Sequence, residues 1–133
     1  MNEYEKYDYW YDIAQYDLDT AEAMLKSGRW LYVLFMCQQA IEKLVKGLYV
    51  LYVDDNVPKI HNLRVLIERF EDLLQETVSD ETYTLFEDLT IHYLNGRYTD
   101  YKQKLSEQLN EQIAMEFYKK SKEAFAWLLT LKP

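Results

Sequence analysis

One short run of polar residues could do chemistry inside an otherwise apolar helix. The stretch 30–52 carries apolar residues on nearly every side of a helix. At about 100° per residue, one arc instead carries amide, carboxylate and ammonium groups, which we call the polar window: Gln38, Gln39, Glu42, Lys43 and Lys46. Apolar residues extend the same arc at both ends, so it is not a solvated face. We therefore expect the polar window to be buried against a helix, a second subunit or a ligand.

Two interpretations of the polar window are open from the sequence. In the first, Lys43 and Lys46 bind phosphate as point charges while Gln38 or Gln39 donates to a base. In the second, the window is an internal network, because Glu42 and Lys46 form an i,i+4 pair in the favourable orientation. Such a pair contributes about 0.2–0.5 kcal/mol when exposed, and a buried charge needs a partner whatever the function.

The two histidines are the next candidates for chemistry. His61 precedes the third predicted helix, where it could contact a ligand beside Lys43 or order the turn by bonding the backbone. His92 lies one position before a core aromatic residue of the fourth helix, and we expect it at the surface.

A second polar group follows the fourth helix in a predicted loop, where functional residues concentrate. It comprises Arg97, Tyr98 and Asp100. Arg97 could reach a phosphate, or it could pair with Glu42 or Asp100. We include all three residues in the candidate ligand site with His61 and the polar window.

Several kinds of catalytic site have no sequence candidate. Cysteine and histidine do not occur at zinc-binding spacing. A di-iron bundle needs Glu-x-x-His pairs, and the residues three before the histidines are Pro58 and Leu89. There is no glycine-rich phosphate loop and no Ser or Cys nucleophile with its own base. We therefore expect no metal and no catalytic residues.

Composition predicts a single domain, residues 1–133, with a substantial core. Apolar residues make up 49% of the chain, which is enough to bury one. The single cysteine, Cys37, excludes a disulfide framework and favours a reducing compartment. The net charge of −8 opposes sequence-independent nucleic-acid binding. The polar amino terminus and the lack of a run of about 20 apolar residues predict a cytoplasmic protein without signal peptide or membrane span.

Hydrophobic periodicity predicts the first, second and last helices over about 3–26, 30–52 and 110–131. The third helix is predicted from Asn62, and the fourth from Ser79 or Asp80 to Gly96. The third shows apolar positions as far as Leu74. Residues 97–102 could be a loop or a short helical turn. With only 3 Gly and 2 Pro, the chain has little turn chemistry for a β fold. The predicted fold is all-α, an up-and-down bundle of four long helices plus one or two shorter ones.

Three motifs in order resemble the HEPN family (higher eukaryotes and prokaryotes nucleotide-binding domain). Residues 38–46 contain a Gln-x-x-Glu-Lys-x-x-Lys signature, residues 60–63 resemble the family's His-x-Leu entering helix three, and residues 96–100 resemble its Arg-Tyr-x-Asp after helix four. Residues 14–21 also look like its first helix. The resemblance spans nearly the whole chain.

The resemblance implies a five-helix bundle, frequent homodimers, and often a small nucleotidyltransferase-like partner encoded nearby. Some branches are ribonuclease toxins with Arg, four to six residues, then His. Here neither His61 nor His92 has an arginine five to seven positions before it. The hypothesis is therefore a non-catalytic HEPN-like domain that homodimerises and binds a nucleotide, a nucleotidyltransferase-type partner, or both. The domain and that partner would form a toxin–antitoxin-like pair.

Two alternatives remain. One is a divergent HEPN ribonuclease that uses His61 or His92 with Arg97. The other is a purely structural interaction module. The 13 tyrosines exceed what a core needs and suit an interface, since tyrosine buries apolar area while keeping a polar tip.

Overall fold

The structure is a computed structural model that describes the backbone of residues 1–133 and the side chains of residues 1–98 and 102–133. Six α-helices follow one another: α1 (Glu3–Lys26), α2 (Trp30–Tyr52), α3 (Leu63–Glu68), α4 (Asp80–Asn95), α5 (Thr99–Gln108) and α6 (Glu111–Thr130), with a 3₁₀ turn at Glu71–Leu73. The described backbone contains no strand. The predicted all-α fold with four long helices is confirmed.

Local sequence signals set the helix ends. Gly28, after α1, has φ +74°, the left-handed conformation that glycine adopts without steric cost. The side chains of Asn62, Ser79 and Asn110 accept hydrogen bonds from backbone N–H groups in the first turns of α3, α4 and α6. These residues satisfy donors that a helix start leaves without intrahelical partners.

Helix α2 is the centre of the bundle. It packs against α1 along its length and also against α6, α4 and α3, which explains why its sequence is apolar on all sides. Gly47 permits the close approach of α1, because a Cβ there would lie 3.0 Å from Trp10 Cβ and 3.2 Å from Tyr7 Cδ2. Cys37 is fully buried, and burial raises the pKa of its thiol to about 12, as befits a core residue.

The third helix is shorter than the sequence predicts. Helix α3 ends at Glu68, and the amides of Arg69 and Phe70 bond the carbonyls three residues earlier. The reason is tertiary: the buried Phe70 ring stacks on Tyr52 with centroids 5.7 Å apart and meets the Tyr49 ring edge-on. The chain turns at that anchor, which leaves Leu73 exposed.

The segment after α4 forms the start of another helix. Tyr98 occupies the N-cap of α5, so the short-helix interpretation of this segment is correct. None of the helices in the described part of the chain combines the length and hydropathy that a membrane span requires.

Gly96 provides a test of this packing. A Cβ at Gly96 would lie 2.6 Å from the Phe35 ring and 2.7 Å from the His92 carbonyl oxygen. We predict that Gly96→Ala lowers the free energy of unfolding by about 1–3 kcal/mol, the usual cost of overpacking, in urea denaturation. In a Phe35→Leu background the cost should be smaller, because the ring is gone. Equal costs in both backgrounds would contradict this explanation.

Candidate functional site

A buried carboxylate lies at the centre of the polar window. The Glu42 side chain is 2% exposed. Its Oε2 accepts from Lys46 Nζ at 3.0 Å, and its Oε1 accepts from Gln38 Nε2 at 3.0 Å and from His61 Nδ1 at 2.9 Å. Burial by itself would raise the pKa of this carboxyl, but hydrogen bonds from these three donors outweigh it and hold the pKa below its ordinary value.

The remaining amides of the window join this carboxylate in a chain of hydrogen bonds. Gln38 Nε2 also donates to the His61 carbonyl oxygen at 2.8 Å. Gln38 Oε1 accepts from Gln39 Nε2 at 2.7 Å, and Gln39 Oε1 accepts from Lys43 Nζ at 3.0 Å. The polar window therefore faces the loop before α3 and helix α1 of the same chain.

Asp17 of α1 completes the network, although it is not among the site residues predicted from the sequence. Its Oδ2 lies 3.6 Å from Lys43 Nζ. Burial raises the pKa of Asp17 above its ordinary value, against the attraction of Lys43. The sequence does contain a signal for Asp17. It occurs seven residues after Trp10 and seven before Met24, and these two residues fill the same heptad position with apolar side chains.

A row of aromatic rings with cationic side chains runs from the network to the surface. The His61 ring and the Arg97 guanidinium each lie 5.6 Å from the Tyr93 ring centroid. Phe35 meets Tyr93 at 5.6 Å and Tyr32 at 5.3 Å. Lys102 Nζ donates to the Tyr32 hydroxyl. We call this row the ridge: Tyr32, Phe35, His61, Tyr93, Arg97 and Lys102.

The structure thus places His61 and Arg97 against the same ring, that of Tyr93. The i,i+4 spacing of Tyr93 and Arg97 could have shown half of this contact in the sequence. Tyr98 is 66% exposed beside it. The side chain of Asp100 lies outside the described residues.

Three interpretations from the sequence need correction. Arg97 does not pair with Glu42, because closer donors occupy both carboxylate oxygens. His92 is half-buried instead of exposed: its Nδ1 is 2.8 Å from the Asp88 carbonyl oxygen and its ring packs on Phe117. As for His61, its ring bonds the Glu42 carboxylate instead of the turn's backbone.

Both lysines of the polar window already bond to other side chains of the protein. Lys46 is paired with Glu42, although it also borders an open cavity of about 530 Å³ that Lys6, Trp10 and Lys59 help to line. Among the described side chains, no group of three or more His, Cys, Asp or Glu residues could hold a metal ion.

A sequence model of the HEPN domain matches residues 7–131, which include every candidate site residue. The chain belongs to the HEPN domain family. No curated protein and no solved structure matches it. Within the matched residues, the Gln-x-x-Glu-Lys-x-x-Lys run of α2 supplies most of the buried network, and Arg97 of the Arg-Tyr pair belongs to the ridge.

The buried ion pair of this HEPN domain gives a stability prediction. Glu42→Ala leaves the Lys46 charge buried without its partner and should lower the free energy of unfolding by about 3–5 kcal/mol in urea denaturation. The double variant Glu42→Leu with Lys46→Met should lose much less, because neither charge remains.

The control is Glu68→Ala, which removes an exposed i,i+4 partner of Arg64 and should change the free energy of unfolding little. If the double variant is as unstable as Glu42→Ala, the ion pair does not explain the loss.

Proposed function

We propose that this HEPN domain is a non-catalytic module that homodimerises and binds a nucleotide at the ridge, with a small nucleotidyltransferase-type protein as its partner. The observation that carries the ligand proposal is the ridge itself. Two cationic side chains, Arg97 and Lys102, flank contiguous aromatic rings in a protein whose net charge is −8. Aromatic faces stack on bases and cations bind phosphates.

The buried network supports the ridge as a binding surface. Glu42 fixes the His61 ring through Nδ1, and His61 in turn packs on Tyr93. Arg97 and Tyr98 are exposed, so a ligand can reach both. The guanidinium would bind phosphate, and the Tyr98 ring would stack on the base, a contact that contributes about 1–3 kcal/mol.

The prediction concerns thermal stabilisation by nucleoside triphosphates. At ten times the dissociation constant a ligand should raise the Tm by about 5 °C for a domain of this size, measured by differential scanning fluorimetry. Arg97→Ala with Lys102→Ala should abolish the shift and leave the unliganded Tm unchanged, because both side chains are exposed.

The matched control is Arg69→Ala with Lys119→Ala, two exposed cations outside the ridge, which should preserve the shift. A shift lost instead in Lys6→Ala with Lys59→Ala would place the ligand in the cavity beside Lys46. If none of the four ribonucleoside triphosphates shifts the unmutated protein, the ligand proposal fails and a structural interaction module remains.

Exposed apolar side chains on α4 support the homodimer. Ile91 is 52% exposed and Leu94 37% exposed, one helical turn apart. Contiguous exposed apolar residues mark interfaces more often than single ones do. In an isologous dimer the same patch would face itself across a two-fold axis.

Sedimentation velocity tests the dimer. We expect a dimer for the unmutated chain and a folded monomer for Ile91→Asp with Leu94→Asp, because the new carboxylates would face their own copies. Val53→Asp, at the 43%-exposed C-cap of α2, is the control and should remain dimeric. A dimer that survives the α4 changes would contradict this interface.

One observation favours the ribonuclease alternative. Because a carboxylate only accepts, the hydrogen shared with Glu42 belongs to His61 Nδ1, which leaves Nε2 free to act as a base. Arg97 lies 5.6 Å from the centroid of the Tyr93 ring, against which His61 also packs. RNA cleavage by the purified protein that disappears in His61→Ala would replace the non-catalytic proposal with this one.

A further inference from the structure

A groove between α4 and α6 lies outside the ridge and the polar window. Its volume is about 680 Å³. Leu85 and Ala124 form a buried floor, and the half-buried rings of Phe117 and Trp127 extend it. The α4 wall runs from Asp80 to Asp88, a length of about 12 Å at 1.5 Å per residue, or roughly two turns of a helix.

The rim of this groove is strongly acidic. Five carboxylates and one ammonium group line it: Asp80, Glu81, Asp88, Glu116, Glu123 and Lys120. Among the described side chains, none of the five carboxylates lies within 4.0 Å of a lysine or arginine nitrogen. Asp80 and Glu81 stabilise the start of α4 through the helix dipole. That role does not account for the carboxylates in the middle of α4 and on α6.

We propose that this groove binds a basic amphipathic helix of a partner protein. The apolar stripe of that helix would cover Phe117 and Trp127, and its lysines and arginines would face the carboxylates on both walls. Helix-in-groove recognition uses this combination of apolar anchors and flanking charges, and complementary charge accelerates encounter and rejects wrong partners.

The charge of the groove distinguishes this occupant from others. Phosphate backbones are repelled by the rim. In an isologous dimer formed through the groove, the five rim carboxylates of one copy would face the same five of the other. A ligand with charge alone would leave the two aromatic rings facing water.

The test uses a fluorescein-labelled 14-residue peptide with leucine on one helical face and lysine elsewhere. We expect binding by fluorescence anisotropy that weakens as salt is raised, because salt screens exposed charges. Glu116→Lys with Glu123→Lys should weaken binding at least ten-fold. Both positions are exposed, and circular dichroism should show an unchanged fold.

Controls separate the groove from general attraction. Asp12→Lys with Glu76→Lys gives the same net charge from exposed positions outside the groove and should preserve binding. Equal loss in this variant overturns the proposal, as does equal binding of a peptide with serine in place of leucine. A dimer of the unmutated protein that dissociates only in the Glu116→Lys, Glu123→Lys variant would assign the groove to a second copy instead, which also overturns it.

Discussion

The buried carboxylate of Glu42 is the constraint on which the site depends. A charge with almost no exposed surface must be matched by donors, and this one is matched by donors from two directions. Lys46 and Gln38 come from its own helix, whereas His61 comes from the loop that leads into α3. The carboxylate therefore fixes that loop against α2, and with it the position of the imidazole.

Between His61 and the protein surface, the side chains are held by contacts with an aromatic ring and not by further hydrogen bonds to the carboxylate. The held imidazole lies against Tyr93, and Arg97 lies over the same ring. Buried polar groups thus set the position of a surface that is largely aromatic and cationic. The signature residues in α2 have a physical role here, because their Gln, Glu and Lys side chains form the internal network. The exposed cations of the ridge, Arg97 and Lys102, come from the segment after α4 and from α5.

Charge is distributed unevenly on this acidic protein. Cationic side chains accompany the rings of the ridge, while the groove between α4 and α6 carries five carboxylates around an apolar floor. One helix, α4, contributes to both surfaces at different positions along its length. Tyr93 belongs to the ridge and Leu85 to the groove, so a rigid helix places two chemically opposite surfaces at a fixed separation.

The sequence by itself determined the four long helices, the caps of α3 and α4, and the centrality of α2. These follow from local physics: periodicity, the capping side chains of Asn62 and Ser79, and a helix too apolar to be exposed on any side. It also identified Glu42, Lys46, His61 and Arg97 as the polar groups of interest. Tertiary structure decided which of them meet, since Glu42 bonds His61 across 19 positions of chain and Arg97 contacts a ring instead of a carboxylate. It also decided that the third helix stops early, because Phe70 is anchored by Tyr52. Such pairings depend on the relative placement of helices, which periodicity does not encode.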